Sequence, residues 1–297
     1  MILLSQILCF DAYPGNPEGN AGVDLPYQLV LPTYAATAWY HKKLPEPPAS
    51  LEALIADAEK FALTEYAIAL AAGNTLEAGQ RKAVLEKLHR FTGLPVAYLD
   101  KANLRVSAGV FEKALQDDAN LTTGRLDSRF SGPTMDPLSK EADYDPQSAA
   151  IGSAYVSAYN DYARKQLGVA TDKPYKPSAR LFRSWSWKHD SPYAGGLPTT
   201  TNVIQDLATA MKFNPNLVVQ LEAGYFDVAT PFFQSVYELQ HLPIPPRLQN
   251  NVEMKFYPSG HMIYANEASL RALHENVASL VKRTSTPKPR DATRDAK

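Results

Sequence analysis

The stretch Leu217-Val-Val-Gln-Leu-Glu-Ala-Gly-Tyr-Phe-Asp227 decides the fold. Leu217 to Leu221 is a short apolar run bounded by Asn216 and Gly224, which reads as a buried strand. Just past it, Thr230 is placed to cap a helix and Pro231 to open it, and the helix runs through Leu242. Val252 to Tyr257 then alternates as a second strand, and Ser259-Gly260-His261 follows it. Residues 265–282 carry Leu270, Leu273, Val277 and Leu280 at helical spacing, and residues 201–213 do the same with Val203, Ile204, Leu207 and Met211. Helix, strand, helix, strand, helix is the pattern of a parallel α/β sheet.

Moving outward, Met1 to Phe10 (MILLSQILCF) reads as a further buried strand over residues 2–10. It has no basic leading region and is too short to cross a bilayer, so it is read neither as a signal peptide nor as a membrane anchor. A chain that enters a strand at residue 2 reads as one beginning in the middle of a fold. Residues 11–33 are rich in Gly, Pro and Asn and are expected to form a loop. A short helix is expected over 34–42. Ser50 should cap a helix that turns Leu51, Leu54, Ile55, Ala58 and Ala62 inward, and Thr75 a second with Val84, Leu85 and Leu88 inward and Gly93 as its stop. Shorter helices are expected around Leu104 and Phe111, a loop or hairpin over 119–146, and a helix over 147–167 packing Ala154, Tyr155, Tyr159 and Tyr162. An aromatic patch follows at Phe182, Trp185 and Trp187. The expected architecture is a partial parallel sheet in one domain, 1–283, interrupted by a large, mostly helical insertion over about 34–200. The charged, Pro-containing tail, 284–297, is expected to be disordered.

Composition narrows the function classes. A chain of 297 residues can bury roughly 75% of its unfolded surface. Its net charge of -1 argues against a binder of nucleic-acid backbones, which would carry a basic excess. The one cysteine, Cys9, excludes an internal disulfide framework and reads as a buried, inert thiol. His41, His89, His189, His241 and His274 share no metal-ligand spacing. His274 reads as solvated and His189 as a packing residue or a pocket wall. Tyr193-Ala-Gly-Gly196 lacks the helix start and Lys of a phosphate cradle, and Asp143 and Asp145 are too sparse for a calcium loop. No cofactor and no metal are therefore expected. Gly124-Arg-Leu-Asp-Ser-Arg129 puts Arg125, Asp127 and Arg129 on one side of an extended chain, as an ion-paired turn or as a clamp for a substrate carboxylate.

The candidate site residues are Asp227 and His261. Each follows an expected strand by a few residues and precedes a helix. If the strands are neighbours, both side chains emerge on one sheet edge, with Gly224 and Gly260 allowing sharp turns there. A carboxylate that orients an imidazole and stabilises its charged form is what a hydrolytic histidine needs. A carboxylate, then an imidazole, on successive strand ends is also the order of the last two triad members in α/β-hydrolases. Taken singly, Asp227 also reads as a residue at a helix start and His261 as a surface histidine. No Gly-x-Ser-x-Gly turn occurs in the chain. Gly152-Ser153, the nearest short candidate, falls in a helical context.

Leu221-Glu-Ala-Gly-Tyr-Phe-Asp227-Val-Ala-Thr-Pro231-Phe-Phe, followed by Tyr257-Pro-Ser-Gly-His261-Met-Ile-Tyr264, resembles the closing half of the serine carboxypeptidases, especially bacterial members. Leu31-Pro-Thr-Tyr-Ala-Ala-Thr-Ala-Trp39-Tyr-His41, Gly124 to Arg129, Trp187-Lys-His189 and Asn214-Pro215 add to the resemblance, which spans all but the tail. It implies an α/β-hydrolase fold with a helical cap and release of C-terminal residues from a peptide substrate through an acyl-enzyme. Asp227 would orient His261, and His261 would act as general base and then acid. The family's nucleophile turn, its oxyanion-hole donors and the groups that hold the substrate carboxylate are expected upstream of this chain, which should be inactive alone. A carboxypeptidase-like acyltransferase and a non-catalytic binding module with a vestigial Asp/His pair are the alternatives. The family is typically exported. The expected partners are a peptide substrate and a missing N-terminal half, or a second copy pairing through an exposed sheet edge, with no nucleic acid and no membrane.

Overall fold

The chain enters a short strand, β1 (Ile2–Leu4), and leaves it at once. This computed structural model describes residues 1–15, 17–169, 175–179, 181, 184–190 and 200–285. The extended run expected over 2–10 stops early because Ser5 takes a left-handed backbone (φ 46°), which a strand cannot continue. The amides of Leu8 and Cys9 then donate to the Glu238 carboxylate, at 2.9 and 3.1 Å, instead of to a strand neighbour. Cys9 is half-buried outside any strand, and burial pushes its thiol pKa up.

The next element overturns the loop expected over 11–33. Helix α1 (Leu25–Tyr40) starts with Pro26 in its first turn, where a proline needs no N–H. Its residues are buried on nearly every side, Pro32 included, so it shows no amphipathic period to read. α2 (Leu51–Phe61) is capped as expected by Ser50, whose hydroxyl accepts from the Ala53 amide at 3.2 Å, and Leu51, Leu54, Ile55, Ala58 and Ala62 are buried. α3 (Ala67–Ala72) continues it through one wide turn. α4 (Ala78–Thr92) buries Val84, Leu85 and Leu88 and ends at Gly93 (φ 71°). Thr75 does not cap α4; its hydroxyl donates to the Ala72 carbonyl. α5 (Val96–Lys101) and α6 (Ala108–Ala114) follow, with Leu104 in the turn between them at φ 67°.

β2 (Leu121–Thr123) and β3 (Ser131–Pro133) make an antiparallel hairpin. α7 (Pro146–Asp161) is capped by Asp145, which accepts from the Gln147 and Ser148 amides. Tyr155, Tyr159 and Tyr162 do not pack as expected; all three are exposed, and Tyr159 meets only the ring of Tyr175 among the described aromatics. Trp185 and Trp187 are exposed, while Phe182, residues 193–196 and the tail beyond Ser285 lie outside the described residues.

α8 (Ile204–Phe213), β4 (Val219–Gly224), α9 (Phe232–Gln240), α10 (Pro246–Gln249), β5 (Val252–Tyr257) and α11 (Glu267–Ser285) complete the chain. The three strands β1, β4 and β5 form one parallel sheet in the order β1-β4-β5. Leu3 lies opposite Leu221, and Leu221 opposite Met254. Every residue of central β4 is buried. α1 packs on α2, α4 and α9, so the helical layer between β1 and β4 and the sheet share one core. Burying Leu29, Val30 and Leu31 of α1 contributes roughly 1.5–3 kcal/mol each. The molecule is therefore mixed α/β. Its helices leave the sheet after β1 and return beside it at β4, and the first long one opens at Leu25. Because the strands are parallel, Ser5, Asp227 and His261 all follow strand ends on the same edge.

Candidate functional site

The turns after β4 and β5 are in backbone contact. The Tyr225 amide donates to the Tyr257 carbonyl and the Phe226 amide to the Ser259 carbonyl, both at 3.0 Å. A Cβ at Gly224 would lie 2.5 Å from the Gly260 carbonyl oxygen, and one at Gly260 would lie 2.5 Å from Asp127 Cβ. Neither glycine has a positive φ, so close approach rather than turning freedom requires them.

That approach brings the pair together. Asp227 Oδ2 lies 2.9 Å from His261 Nδ1. Asp227 is fully buried, whereas the His261 side chain is 35% exposed. Its other oxygen, Oδ1, accepts from the Thr230 amide at 2.8 Å. Asp227 thus fixes the turn into α9 as well as facing the imidazole. An Nδ1 facing a carboxylate carries the ring proton, which leaves Nε2 with a lone pair. Nε2 has no hydrogen-bond partner among the described residues. The bond to Asp227 holds the His261 pKa above its ordinary value; burial and the positive charge of Arg125 work against that, and Asp145 adds to it.

Two supports were not legible as such. Thr230 was expected to cap α9, but Pro231 occupies that position. The Thr230 hydroxyl lies 2.6 Å from Asp227 Oδ2, 3.0 Å from the Ser5 carbonyl oxygen and 3.1 Å from His261 Nδ1. Its one proton can go to Asp227 or to Ser5, and its oxygen can accept from Nδ1–H. The three-residue spacing of Asp227 and Thr230 is the signal that could have placed both in one turn. Ser5 completes the edge: its hydroxyl donates to the His261 carbonyl at 2.9 Å, a bracing role.

The second support is the loop 124–129. The Arg125 carbonyl accepts from the amides of Val228 and Ala229 at 3.1 and 3.2 Å. The Leu126 carbonyl accepts from the His261 amide at 2.6 Å, and the Ser128 amide donates to the Phe226 carbonyl at 2.9 Å. One short loop therefore ties the Asp227 turn to the His261 turn through their backbones. Asp127 and Arg129 form the ion pair that the sequence allowed, at 2.6 and 2.9 Å, and Arg129 also donates to the Pro258 carbonyl. The three side chains do not act as one clamp. Arg129 is committed to Asp127, while among the described residues the Arg125 guanidinium reaches only the Tyr13 hydroxyl, at 3.2 Å. His41 braces the loop from α1, its Nε2 2.6 Å from the Ser128 carbonyl oxygen.

The remaining candidates lie apart. Ser153 is exposed in the middle of α7, without elbow geometry. His189 pairs with Asp206 at 3.0 Å, and His274 is exposed on α11. Among the described residues no three His, Cys, Asp or Glu side chains gather as a metal site. Comparison with protein families, with curated proteins and with solved structures found no match for this chain.

Proposed function

We propose that this chain carries the orienting acid and the general base of a serine-type carboxypeptidase built on an α/β-hydrolase fold. The observation that carries the reading is the 2.9 Å contact of Asp227 with His261 Nδ1, at the carboxyl edge of a parallel sheet, with Nε2 unpartnered among the described residues. Such an imidazole takes a proton from a hydroxyl brought to Nε2 while the buried carboxylate stabilises the charge that develops. The hydroxyl then attacks the carbonyl carbon, and Nε2–H returns the proton to the leaving amine. The motifs around Asp227 and His261 that resemble the serine carboxypeptidases support peptide hydrolysis as the reaction.

Among the described residues no serine hydroxyl is hydrogen-bonded to the His261 ring. Ser5 donates to a main-chain carbonyl, Ser128 meets Thr37 at 2.5 Å, and Ser153 is on α7. The test compares two proteins. This chain should neither release C-terminal residues from a blocked dipeptide nor label with a serine-reactive fluorophosphonate. The product of the same reading frame extended into the DNA before Met1 should do both, and lose both on His261→Gln. Labelling of the 297-residue chain, or an extended product that stays unlabelled, overturns the reading; the second outcome favours a binding module with a vestigial pair.

A further inference from the structure

We propose that the cleft between α5, α6 and the loop after β3 binds a small, free phosphate monoester of an aromatic alcohol. The cleft shares no residue with the turns around Asp227 and His261, and the inference stands whether or not those residues serve a hydrolase.

The cleft has a volume of about 310 Å³ and is built by three segments of the chain. Tyr98 and Lys101 come from α5, Val110 and Lys113 from α6, and Lys140 from the loop 134–145. Among the described residues Asp117 supplies the only carboxylate of the lining, against three ammonium groups. Lys113 is the decisive one. Its side chain is 4% exposed, and its ammonium pairs with Asp117, which is 55% exposed. A lysine is almost never buried so completely unless it is paired. The ammonium has three donors, and among the described residues Asp117 Oδ1 is the one acceptor it meets. Two donors of a nearly dry cation on the cleft lining are therefore unfilled, which is costly until acceptor oxygens reach them.

The rest of the lining fixes the ligand class. Lys101 and Lys140 are exposed, and among the described residues no carboxylate forms an ion pair with either. Three ammonium groups against one carboxylate leave an excess of positive charge, which matches the charge of about -1.5 to -2 on a phosphate monoester at neutral pH. Separate lysines act as point charges and suit oxygens that point several ways, whereas the planar two-point grip on a carboxylate belongs to arginine, and none lines this cleft among the described residues. The Tyr98 hydroxyl has no hydrogen-bond partner among the described residues; burial pushes its pKa up and the charge of Asp117 adds to the rise, so it remains a donor. Its ring, with Val110 and Ala114, offers an apolar wall to a flat aromatic body. The volume lies at the lower end of the roughly 300–1,000 Å³ of ligand cavities, which suits one ring and one phosphate.

The test titrates the full chain by calorimetry at neutral pH with phenyl phosphate, phenol, inorganic phosphate and phenyl sulfate. Phenyl phosphate should bind about tenfold or more tightly than either phenol or inorganic phosphate, because only it fills the apolar wall and the cationic rim together. It should also bind more tightly than phenyl sulfate, which has the same ring and a single charge. The double variant Lys101→Gln/Lys140→Gln should weaken phenyl phosphate about tenfold and leave phenol unchanged. Inorganic phosphate that binds as well as phenyl phosphate overturns the proposal, since the cleft would then offer charge alone. Phenyl sulfate that matches phenyl phosphate overturns the assignment of a doubly charged ligand, and a double variant that keeps full affinity removes the lysines from the site. A short peptide carrying phosphotyrosine should bind more weakly than phenyl phosphate; tighter binding would overturn the small, free ligand in favour of a modified protein. Both lysines are exposed, so their loss spares the core, and the comparison of ligands needs no variant at all.

Discussion

The turns around Asp227 and the helix α7 show two ways of using the same kinds of residue. In the first, Gly224, Asp227, Gly260 and the loop 124–129 are buried or half-buried apart from the Arg125 side chain, and their main chains bind one another. In the second, Tyr155, Tyr159 and Tyr162 stand in solvent, and only Pro146 and Gln147 of α7 are buried. A glycine makes the contrast quantitative. A Cβ at Gly260 would strike the backbone of Leu126 and Asp127, whereas one at Gly152 meets nothing within 4 Å. Order at the Asp227 edge is enforced by packing, and order in α7 by local helix preference.

The largest effect should come from adding one methyl group to the enforced region. Gly260→Ala has no flexible side chain to push aside, so the loop 124–129 must move. A loss of about 3 kcal/mol in denaturant unfolding is expected, together with separation of the His261 and Asp227 ring and carboxylate signals. A variant as stable as the parent would show that the two turns are not held by close approach.

Asp227→Asn should come next, at about 1–3 kcal/mol, because a buried acceptor of three donors loses its charge. The pKa of His261, followed by NMR titration, should fall in this variant. Since the folded value lies above the ordinary 6.5, the stability from His261 is complete below that pH and is lost as pH rises through the folded value. Asp227→Asn should flatten that decline on the neutral-to-alkaline side. An unchanged His261 titration would break the link between the two residues.

These residues also show what a sequence can reveal. The strand before Asp227 was legible because a buried parallel strand is a bare apolar run, and Pro231 marked the helix after it. The Asp127–Arg129 pair was legible from side-chain alternation. The work of the loop around that pair was not, because it is done by the carbonyls of Arg125 and Leu126, and a carbonyl has no sequence signature. The end of β1 was hidden for a different reason. It depends on Glu238, far along the chain, whose carboxylate gathers Leu8, Cys9, Gln6 and Gln234. Helix α1 was hidden because uniform burial erases the polar face by which a helix is recognised, and the prolines within it imitate a loop.

Thr230→Val sharpens the comparison within the site. The amide of residue 230 still reaches Asp227 Oδ1, so only the hydroxyl's contacts with Asp227 Oδ2, the Ser5 carbonyl and His261 Nδ1 are removed. The expected cost is about 1 kcal/mol, with a shift of the His261 ring signals smaller than that in Asp227→Asn. A larger shift than in Asp227→Asn would make Thr230, rather than Asp227, the group that sets the imidazole.

The smallest effect is expected from the same methyl group placed in α7. Gly152→Ala removes a helix-interior glycine in open space, a change that strengthens a helix by about 0.5–1 kcal/mol. Little of that gain should appear in global unfolding. With most of α7 exposed, the helix can open while the core stays folded, so its stability and that of the whole are separate quantities. The gain should instead appear as slower amide hydrogen exchange confined to residues near 152. A full shift of the global transition would mean that α7 unfolds together with the sheet, and the contrast with the Asp227 edge would then be one of exposure alone.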